Sequence, residues 1–148
     1  MTISIRSLSA EDYDAWLEMW KGYQEFYKVA LDDDVTECLW HRLLSKNPDG
    51  PICYVAEDDG ALIGLVQFLY HGTTWSPKRR IYLHDLYTKP ESRGKGVGRA
   101  LIERVYEDGR QNDVDQVYWL TQDFNTAGRA LYDKVADVTP FIKYSKKI

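Results

Sequence analysis

The residues best suited to binding a phosphorylated ligand lie together in one short segment, residues 93–99, which have the sequence RGKGVGR. Its alternating glycines allow the backbone to approach a ligand closely and to adopt conformations that a Cβ would forbid. The segment lies between a predicted strand and a predicted helix, so its free N–H groups and the positive end of the helix dipole converge on one region. Arg93, Lys95 and Arg99 add positive charge. The segment therefore predicts a binding site for a pyrophosphate group.

Two other nucleotide-binding motifs do not fit this glycine-rich turn. A Walker A loop requires the pattern G-x-x-x-x-G-K-[ST], and no Lys-Ser or Lys-Thr pair follows Gly98. A Rossmann fingerprint requires G-x-G-x-x-G at the start of a long parallel sheet, whereas the spacing here is G-x-G-x-G and too little chain follows to build that sheet. The remaining alternative is an ordinary glycine-rich surface turn. The order of strand, basic residues and helix favours the phosphate site.

The elements that position this turn follow from apolar periodicity, helix caps and turn residues. Alternating polarity predicts strands, helical spacing behind a capping residue predicts helices, and Pro, Gly and Asp-Gly segments separate them. We predict strands at residues 2–6, 52–57, 61–70, 80–88, 116–121 and 141–145, and helices at residues 9–28, from after residue 34 to about 46, 96–110 and 125–135. The order β-α-α-β-β-β-α-β-α-β indicates a single α+β (mixed α/β) domain over residues 1–148, with a central mixed sheet flanked by helices.

The overall composition excludes several classes of protein. The formal net charge of −4 argues against a general nucleic-acid binder, which usually has a basic face. No apolar stretch approaches the roughly 18 residues expected of a membrane span, so we expect no membrane partner. Cys38 and Cys53 are the only cysteines and form no C-x-x-C pair, which argues against a cysteine metal site and favours a reducing cytoplasm. We expect no metal.

The region around the glycine-rich turn resembles motif A of the GNAT N-acetyltransferases. Residues 82–102 read YLHDLYTKPESRGKGVGRALI, and the family pattern R-x-x-G-x-G/A is matched by Arg93, Gly96 and Gly98. Residues 123–132 resemble motif B, with an Asn and a Leu-Tyr pair on one predicted helix. The order of elements agrees with the family along essentially the whole chain. The sequence most resembles the branch that contains the spermidine/spermine and thialysine acetyltransferases.

The resemblance implies that acetyl-CoA is the acyl donor. In the family the two central strands separate, the pantetheine arm binds exposed backbone of the strand before the turn, and the pyrophosphate binds amides of the turn. The residues that the resemblance assigns to acetyl-CoA are Leu86, Tyr87, Thr88, Arg93, Gly94, Lys95, Gly96, Val97, Gly98, Arg99, Asn125 and Tyr132. Asn125 is expected to meet the pantetheine arm, and Tyr132 is expected to approach the thioester sulfur.

Acetyl transfer to an amine requires a base and benefits from an acid. An alkyl amine has a pKa of about 10.4 and arrives as an ammonium, which must lose a proton before it attacks a carbonyl. His84 is the candidate base, and the alternatives are a water chain, or a packing or acceptor-binding role for His84. Asp85 is a further candidate, expected to bond beneath the sheet because neighbouring strand residues face opposite sides. Tyr132 is the candidate acid for the leaving thiolate, the alternative being a core tyrosine.

The expected acceptor is the primary amine of a small molecule, such as a polyamine, an amino acid or a lysine-like group. Tyr23, Tyr27, Asp32, Asp33 and His84 are the candidates for binding it, since the end of the first helix and the following loop border the acceptor groove in the family. The alternatives are a core face for the tyrosines and a helix-capping loop for the aspartates.

Other functions and an assembly state follow from the same resemblance. One alternative is a catalytically idle GNAT-fold module that binds acyl-CoA as a sensor or structural subunit. A second is a protein or histone lysine acetyltransferase, and a third, more remote one is a nucleotide-binding protein of another class. The resemblance also implies a homodimer.

Overall fold

The computed structural model describes residues 2–148, whose strands form one five-stranded sheet. The strands are β1 (Ile3–Ser7), β2 (Ile52–Asp58), β3 (Ala61–Thr73), β4 (Ser76–Thr88) and β5 (Gln116–Tyr118), and the helices are α1 (Tyr13–Phe26), α2 (Asp33–Leu44), α3 (Val97–Gln111) and α4 (Thr126–Val135). Single 3-10 turns, Ala10–Asp12 and Pro90–Ser92, precede α1 and follow β4. Neighbouring strands run β1-β2-β3-β4-β5 and are antiparallel, apart from the parallel pair β4 and β5. The predicted mixed α+β fold is confirmed.

Local sequence explains where these elements begin and end. Asp59 and Gly60 have φ values of 50° and 81°, which is the left-handed backbone that a tight hairpin between β2 and β3 requires. The Asn125 side chain accepts a hydrogen bond from the Gly128 amide at 3.2 Å and thereby caps the start of α4. Each of these boundaries is therefore set by turn or cap residues that are visible in the sequence.

Helices cover both faces of the sheet. Val97, Leu101 and Val105 of α3 are buried against one face, as the sequence predicts for the inner side of that helix. Trp16 and Trp20 of α1 are buried against the other face. Trp16 and Trp20 are therefore core, whereas Tyr23 and Tyr27, toward the end of the helix, are partly exposed.

The predicted last strand, residues 141–145, is wrong. Residues 137–148 follow α4 without forming a strand or a helix, and we call them the C-terminal tail. A strand needs a partner edge, and β5 is only three residues long and pairs with β4 alone. Alternating polarity predicts an extended segment, but it does not show whether another strand is available to pair with that segment.

Strands β4 and β5 separate soon after they meet. They pair only at Arg80–Gln116, Ile81–Val117 and Tyr82–Tyr118. Beyond Tyr82, β4 continues to Thr88 with β3 on one side and no strand on the other among residues 2–148. The sequence predicted β5 to continue to residue 121, and its early end opens a gap beside the second half of β4.

Candidate functional site

The glycine-rich turn presents a row of unused backbone donors. Gly94 and Gly96 have φ values of 75° and 85°, and a Cβ added at either would meet no atom within 4 Å. The amides of residues 94–99 donate to no acceptor within residues 2–148, and the last of them belong to the first turn of α3. This open surface of aligned N–H groups at a helix start fits an anionic phosphate.

The basic side chains of the turn differ in what they contact. Arg93 folds back along β4, where its Nε donates to the Thr88 carbonyl at 2.9 Å and its guanidinium lies 5.6 Å from the Tyr87 ring centre. Lys95 donates from Nζ to the Glu91 carbonyl at 3.2 Å. Arg99 forms no side-chain hydrogen bond or ion pair within the described part of the chain, 2–148. Arg93 therefore fixes the turn, and Arg99 is the cation left to meet a phosphate.

A cavity of about 260 Å³ fills the gap between β4 and the chain after β5. We call it the acceptor cavity, after the prediction that Tyr23, Tyr27 and His84 bind the acceptor amine. Its walls come from α1, β4, the segment after β5, α4 and the C-terminal tail. The lining residues are Tyr23, Tyr27, Tyr82, Leu83, His84, Leu86, Trp119, Leu120, Thr121, Gln122, Tyr132 and Lys143.

A β-bulge places His84 and Asp85 in contact. Across from β4, Gln67 pairs with Asp85 and Phe68 pairs with Leu83, so His84 is the extra residue without a partner. Nδ1 of His84 lies 3.1 Å from Oδ1 of Asp85. The expectation that these neighbours face opposite sides is therefore wrong, because regular alternation fails at a bulge.

The Asp85 carboxylate is held from below by a buried chain of hydrogen bonds. Gln67 donates from Nε2 to Oδ2 of Asp85 at 2.9 Å, and its Oε1 accepts from the Trp16 indole N–H at 2.8 Å. Trp16, Gln67 and Asp85 are 0%, 2% and 6% exposed, so each group depends on the others for its partner. Since a carboxylate only accepts, its bond to His84 requires the proton on Nδ1, which leaves Nε2 of the neutral ring as an acceptor.

The ionisation of the cavity groups follows from this packing. The hydrogen bond to Asp85 raises the pKa of His84 above its ordinary value, against an opposing effect of burial. Burial raises the pKa of Tyr132 to about 12. Burial, followed by the charge of Asp85, raises the pKa of Tyr23 well above its usual range. At neutral pH the two tyrosines are neutral hydrogen-bond donors beside an imidazole that binds protons readily.

The family model for the "Acetyltransferase (GNAT) family" matches residues 13–136. The chain belongs to this family. GNAT enzymes take their acetyl group from acetyl-CoA, and the free amides of residues 94–99 fit the anionic part of that molecule. Together with the named relatives below, the match makes this chain an N-acetyltransferase.

Relatives within the GNAT family include enzymes that act on small amines. The chain is 33% identical over 146 residues to the D-amino-acid N-acetyltransferase of Saccharomyces cerevisiae, covering 97% of this chain and 90% of that protein. It is 37% identical over 97 residues to the thialysine N-epsilon-acetyltransferase of Bos taurus, covering 64% of this chain and 51% of that protein. Among solved structures, AAC(6′)-Iy in complex with the bisubstrate analogue CoA-S-monomethyl-acetylneamine superposes with a TM-score of 0.86 at 18% identity, over 100% of this chain and 99% of that one. That last likeness concerns the GNAT fold alone.

Several predicted site residues meet in the acceptor cavity. Tyr23, Tyr27, His84, Leu86 and Tyr132 all line it. The unpaired edge of β4 connects this group to the glycine-rich turn, as expected for a GNAT chain.

Other predicted residues have a structural role or lie elsewhere. Both ends of the Asn125 side-chain amide are engaged, since Nδ2 donates to Oγ1 of Thr121 at 2.9 Å while Oδ1 caps α4. Asp32 and Asp33 begin α2, are exposed and do not line the acceptor cavity. Asp32 occupies the N-cap position of α2 without a side-chain hydrogen bond to the helix, and the amine-binding role of both aspartates stays a prediction.

Several residues of the site were not identified from the sequence, among them Gln67 and Lys143. Gln67 is a single polar residue within the apolar run LIGLVQFLY, and this contrast was the available signal. Lys143 belongs to the C-terminal tail, where no pattern connects it with a cavity.

Among residues 2–148, no group of three or more His, Cys, Asp or Glu side chains is arranged to hold a metal ion. None of the helices in that range combines the length and apolar character that a membrane crossing requires.

Proposed function

We propose that this GNAT chain transfers the acetyl group of acetyl-CoA to the primary amine of a small molecule, by direct attack in a ternary complex. The observation that supports it most is the continuity of the free β4 edge, which leads from the amides of residues 94–99 to a cavity lined by His84 and Tyr132. The relatives named for D-amino acids and for thialysine support a small acceptor.

In the proposed complex the turn binds the pyrophosphate and β4 binds the pantetheine arm. The donors are the amides from Gly94 to Arg99, with the Arg99 guanidinium nearby. The backbone of Leu86 and Thr88 belongs to the part of β4 that has no strand on its second edge, where the Thr88 carbonyl already accepts from Arg93 and Tyr87 flanks the arm. From His84 to Thr88 the strand rises by about 14 Å, which is the span that the arm has to cover along this edge.

His84 is the proposed base. Its neutral ring carries the Nδ1 proton toward Asp85, so Nε2 is free to take a proton from the acceptor ammonium. The carboxylate then stabilises the imidazolium that results. A neutral amine is left facing the thioester carbonyl, which is the form that attacks.

Tyr132 is the proposed hydrogen-bond donor to the departing sulfur. Its pKa of about 12 lies above the ordinary thiol value of about 8.5, so complete proton transfer from the phenol to a thiolate is uphill. A hydrogen bond from a neutral phenol still stabilises the developing negative charge. The proposed role is therefore stabilisation of the thiolate, which takes its proton from the attacking nitrogen as the amide forms rather than from the phenol.

A thiol-release assay tests the proposal. Acetyl-CoA is supplied with amino acids, thialysine, spermidine, an aminoglycoside or a histone peptide, and free CoA is measured with a chromogenic thiol reagent. Tyr132→Phe is expected to lower kcat by about 100-fold while leaving the Kd for CoA within about threefold. Tyr106→Phe is the matched control. The hydroxyl of Tyr106 donates to the carbonyl of Val135, which belongs to α4 like Tyr132, but Tyr106 does not line the cavity.

Each outcome of that assay has a definite meaning. Unchanged turnover in Tyr132→Phe contradicts the role of this hydroxyl. CoA binding without release from any amine contradicts the proposed reaction and supports an idle acyl-CoA-binding module. Turnover with the histone peptide alone contradicts the small-molecule acceptor.

We propose a homodimer on separate grounds. The C-terminal tail exposes Val138, Phe141, Ile142 and Tyr144 by 76%, 75%, 78% and 89%. A second copy covering these side chains would remove a concentrated apolar surface from water. A monomeric mass by light scattering at micromolar concentration contradicts this assembly.

The free thiols of Cys38 and Cys53 are compatible with the proposed cytoplasmic location.

A further inference from the structure

The acceptor cavity has a one-sided charge. No Asp or Glu of residues 2–148 lines it, and Asp85 lies beneath it with its oxygens bonded to His84 and Gln67. Lys143 is the only lysine or arginine on its wall. A polyamine would therefore bring ammonium groups to a wall that carries the Lys143 ammonium. The negative charge that reaches the lining tyrosines comes from the buried Asp85, which already bonds His84 and Gln67.

Lys143 has its charge available for a ligand. Within the described residues, 2–148, its ammonium forms no ion pair or hydrogen bond. Its charge also reaches His84, because it lowers the pKa of that ring, in opposition to the stronger effect of Asp85. Lys143 and His84 therefore face one space, because both line the acceptor cavity.

We propose that Lys143 binds the carboxylate of the acceptor, so that the acceptors of this enzyme are amino acids whose amino group is directed toward His84. This inference rests on the proposed acetyltransferase function of the same cavity. Tyr23, Tyr27 and Gln122 line the cavity too, and the neutral side-chain amide of Gln122 is able to donate a further hydrogen bond to a carboxylate.

Binding of a carboxylate at Lys143 also favours the proton transfer. An unpaired ammonium near His84 opposes the positive charge that the ring acquires when it takes the acceptor's proton. A bound carboxylate neutralises that ammonium. The carboxylate therefore contributes twice, by holding the acceptor and by making the imidazolium easier to form.

Matched pairs of acceptors test this inference. The pairs are D- or L-phenylalanine with phenethylamine, and D- or L-alanine with ethylamine, which differ only in the carboxylate. Lys143→Gln is expected to raise KM for the amino acid of each pair by about fivefold, the effect of one solvent-accessible ion pair, and to change KM for the amine by less than about twofold. Lys143→Arg keeps the charge and is expected to restore most of the loss. Lys146→Gln, which removes a tail lysine outside the cavity wall, is the control.

Two kinds of failure are distinguishable. Equal KM values for the two members of each pair in the wild type, or equal losses for both members in Lys143→Gln, overturn the carboxylate site while leaving acetyl transfer intact. Absence of CoA release from every acceptor contradicts the proposed function instead. In that event calorimetric titration of phenylalanine and phenethylamine into the CoA complex still tests Lys143. Tighter binding of phenylalanine that is lost in Lys143→Gln supports the inference, and indifference to the substitution overturns it.

Discussion

The substitution Gly96→Ala examines the phosphate-binding turn with little steric interference. Gly96 has a φ of 85°, and a Cβ there meets nothing within 4 Å, so the cost is backbone strain alone. Holding a non-glycine residue in left-handed backbone costs about 1–2 kcal/mol. Arg93 fixes only the start of the turn, whereas residues 94–96 are exposed and their amides have no internal acceptor, so the backbone at Gly96 is able to relax in the unbound protein. The strain energy is then paid only when the turn adopts the conformation that binds the pyrophosphate. We therefore expect the Kd for CoA, measured by calorimetry, to rise about fivefold to thirtyfold.

Two other glycines provide matched controls. Gly60 also has positive φ, at 81°, and open space around its Cβ position, but strand pairing on both sides fixes its hairpin. Gly60→Ala is therefore expected to lower Tm by about 2–4 °C per kcal/mol of strain and to leave CoA affinity unchanged. Gly72→Ala has open space and no positive φ, and is expected to change neither property. An unchanged Kd for CoA in Gly96→Ala would refute the role assigned to the turn.

The remaining predictions concern the buried chain of hydrogen bonds beneath the cavity, which runs from Trp16 through Gln67 to Asp85. Asp85→Asn removes the carboxylate that raises the pKa of His84, so a larger fraction of the ring is neutral at low pH. The acid limb of the kcat/KM profile should therefore move to lower pH, and the plateau of the profile should be lower. A limb that stays in place shows that His84 is not the titrating base. Gln67→Leu leaves the Trp16 N–H and one Asp85 oxygen without partners, and should lower the free energy of unfolding in urea by about 1–3 kcal/mol. A loss below about 0.5 kcal/mol contradicts the dependence of these groups on one another.

Features governed by neighbouring residues could be predicted from the sequence. The positive φ of Gly94 and Gly96, the cap at Asn125 and the hairpin at Gly60 depend on a few consecutive residues. The buried stripe of α3 follows from helical periodicity. Local patterns of residue type are therefore sufficient to locate the unit formed by β4, the glycine-rich turn and α3.

Features governed by distant partners could not be predicted in this way. Whether His84 and Asp85 share a side depends on the register of β4 against β3, since the extra residue is defined only by its missing partner opposite Gln67 and Phe68. Likewise, Lys143 reaches the cavity along a tail that has no regular structure to predict its path. The placement of Asp32 and Asp33 likewise depends on the fold, since the backbone sets them at the start of α2 and outside the lining of the cavity.

The geometry separates the two halves of the proposed reaction physically. The proposed donor side is built mainly from backbone, namely the amides of residues 94–99 and the free edge of β4, with the Arg99 guanidinium as the cation beside it. The acceptor side is built from side chains of α1, α4 and the C-terminal tail. Between them stands the bulge at His84, which belongs to β4 and is fixed from below by Asp85. Acceptor preference can therefore change through residues such as Lys143 while the thioester keeps its position relative to the proposed base.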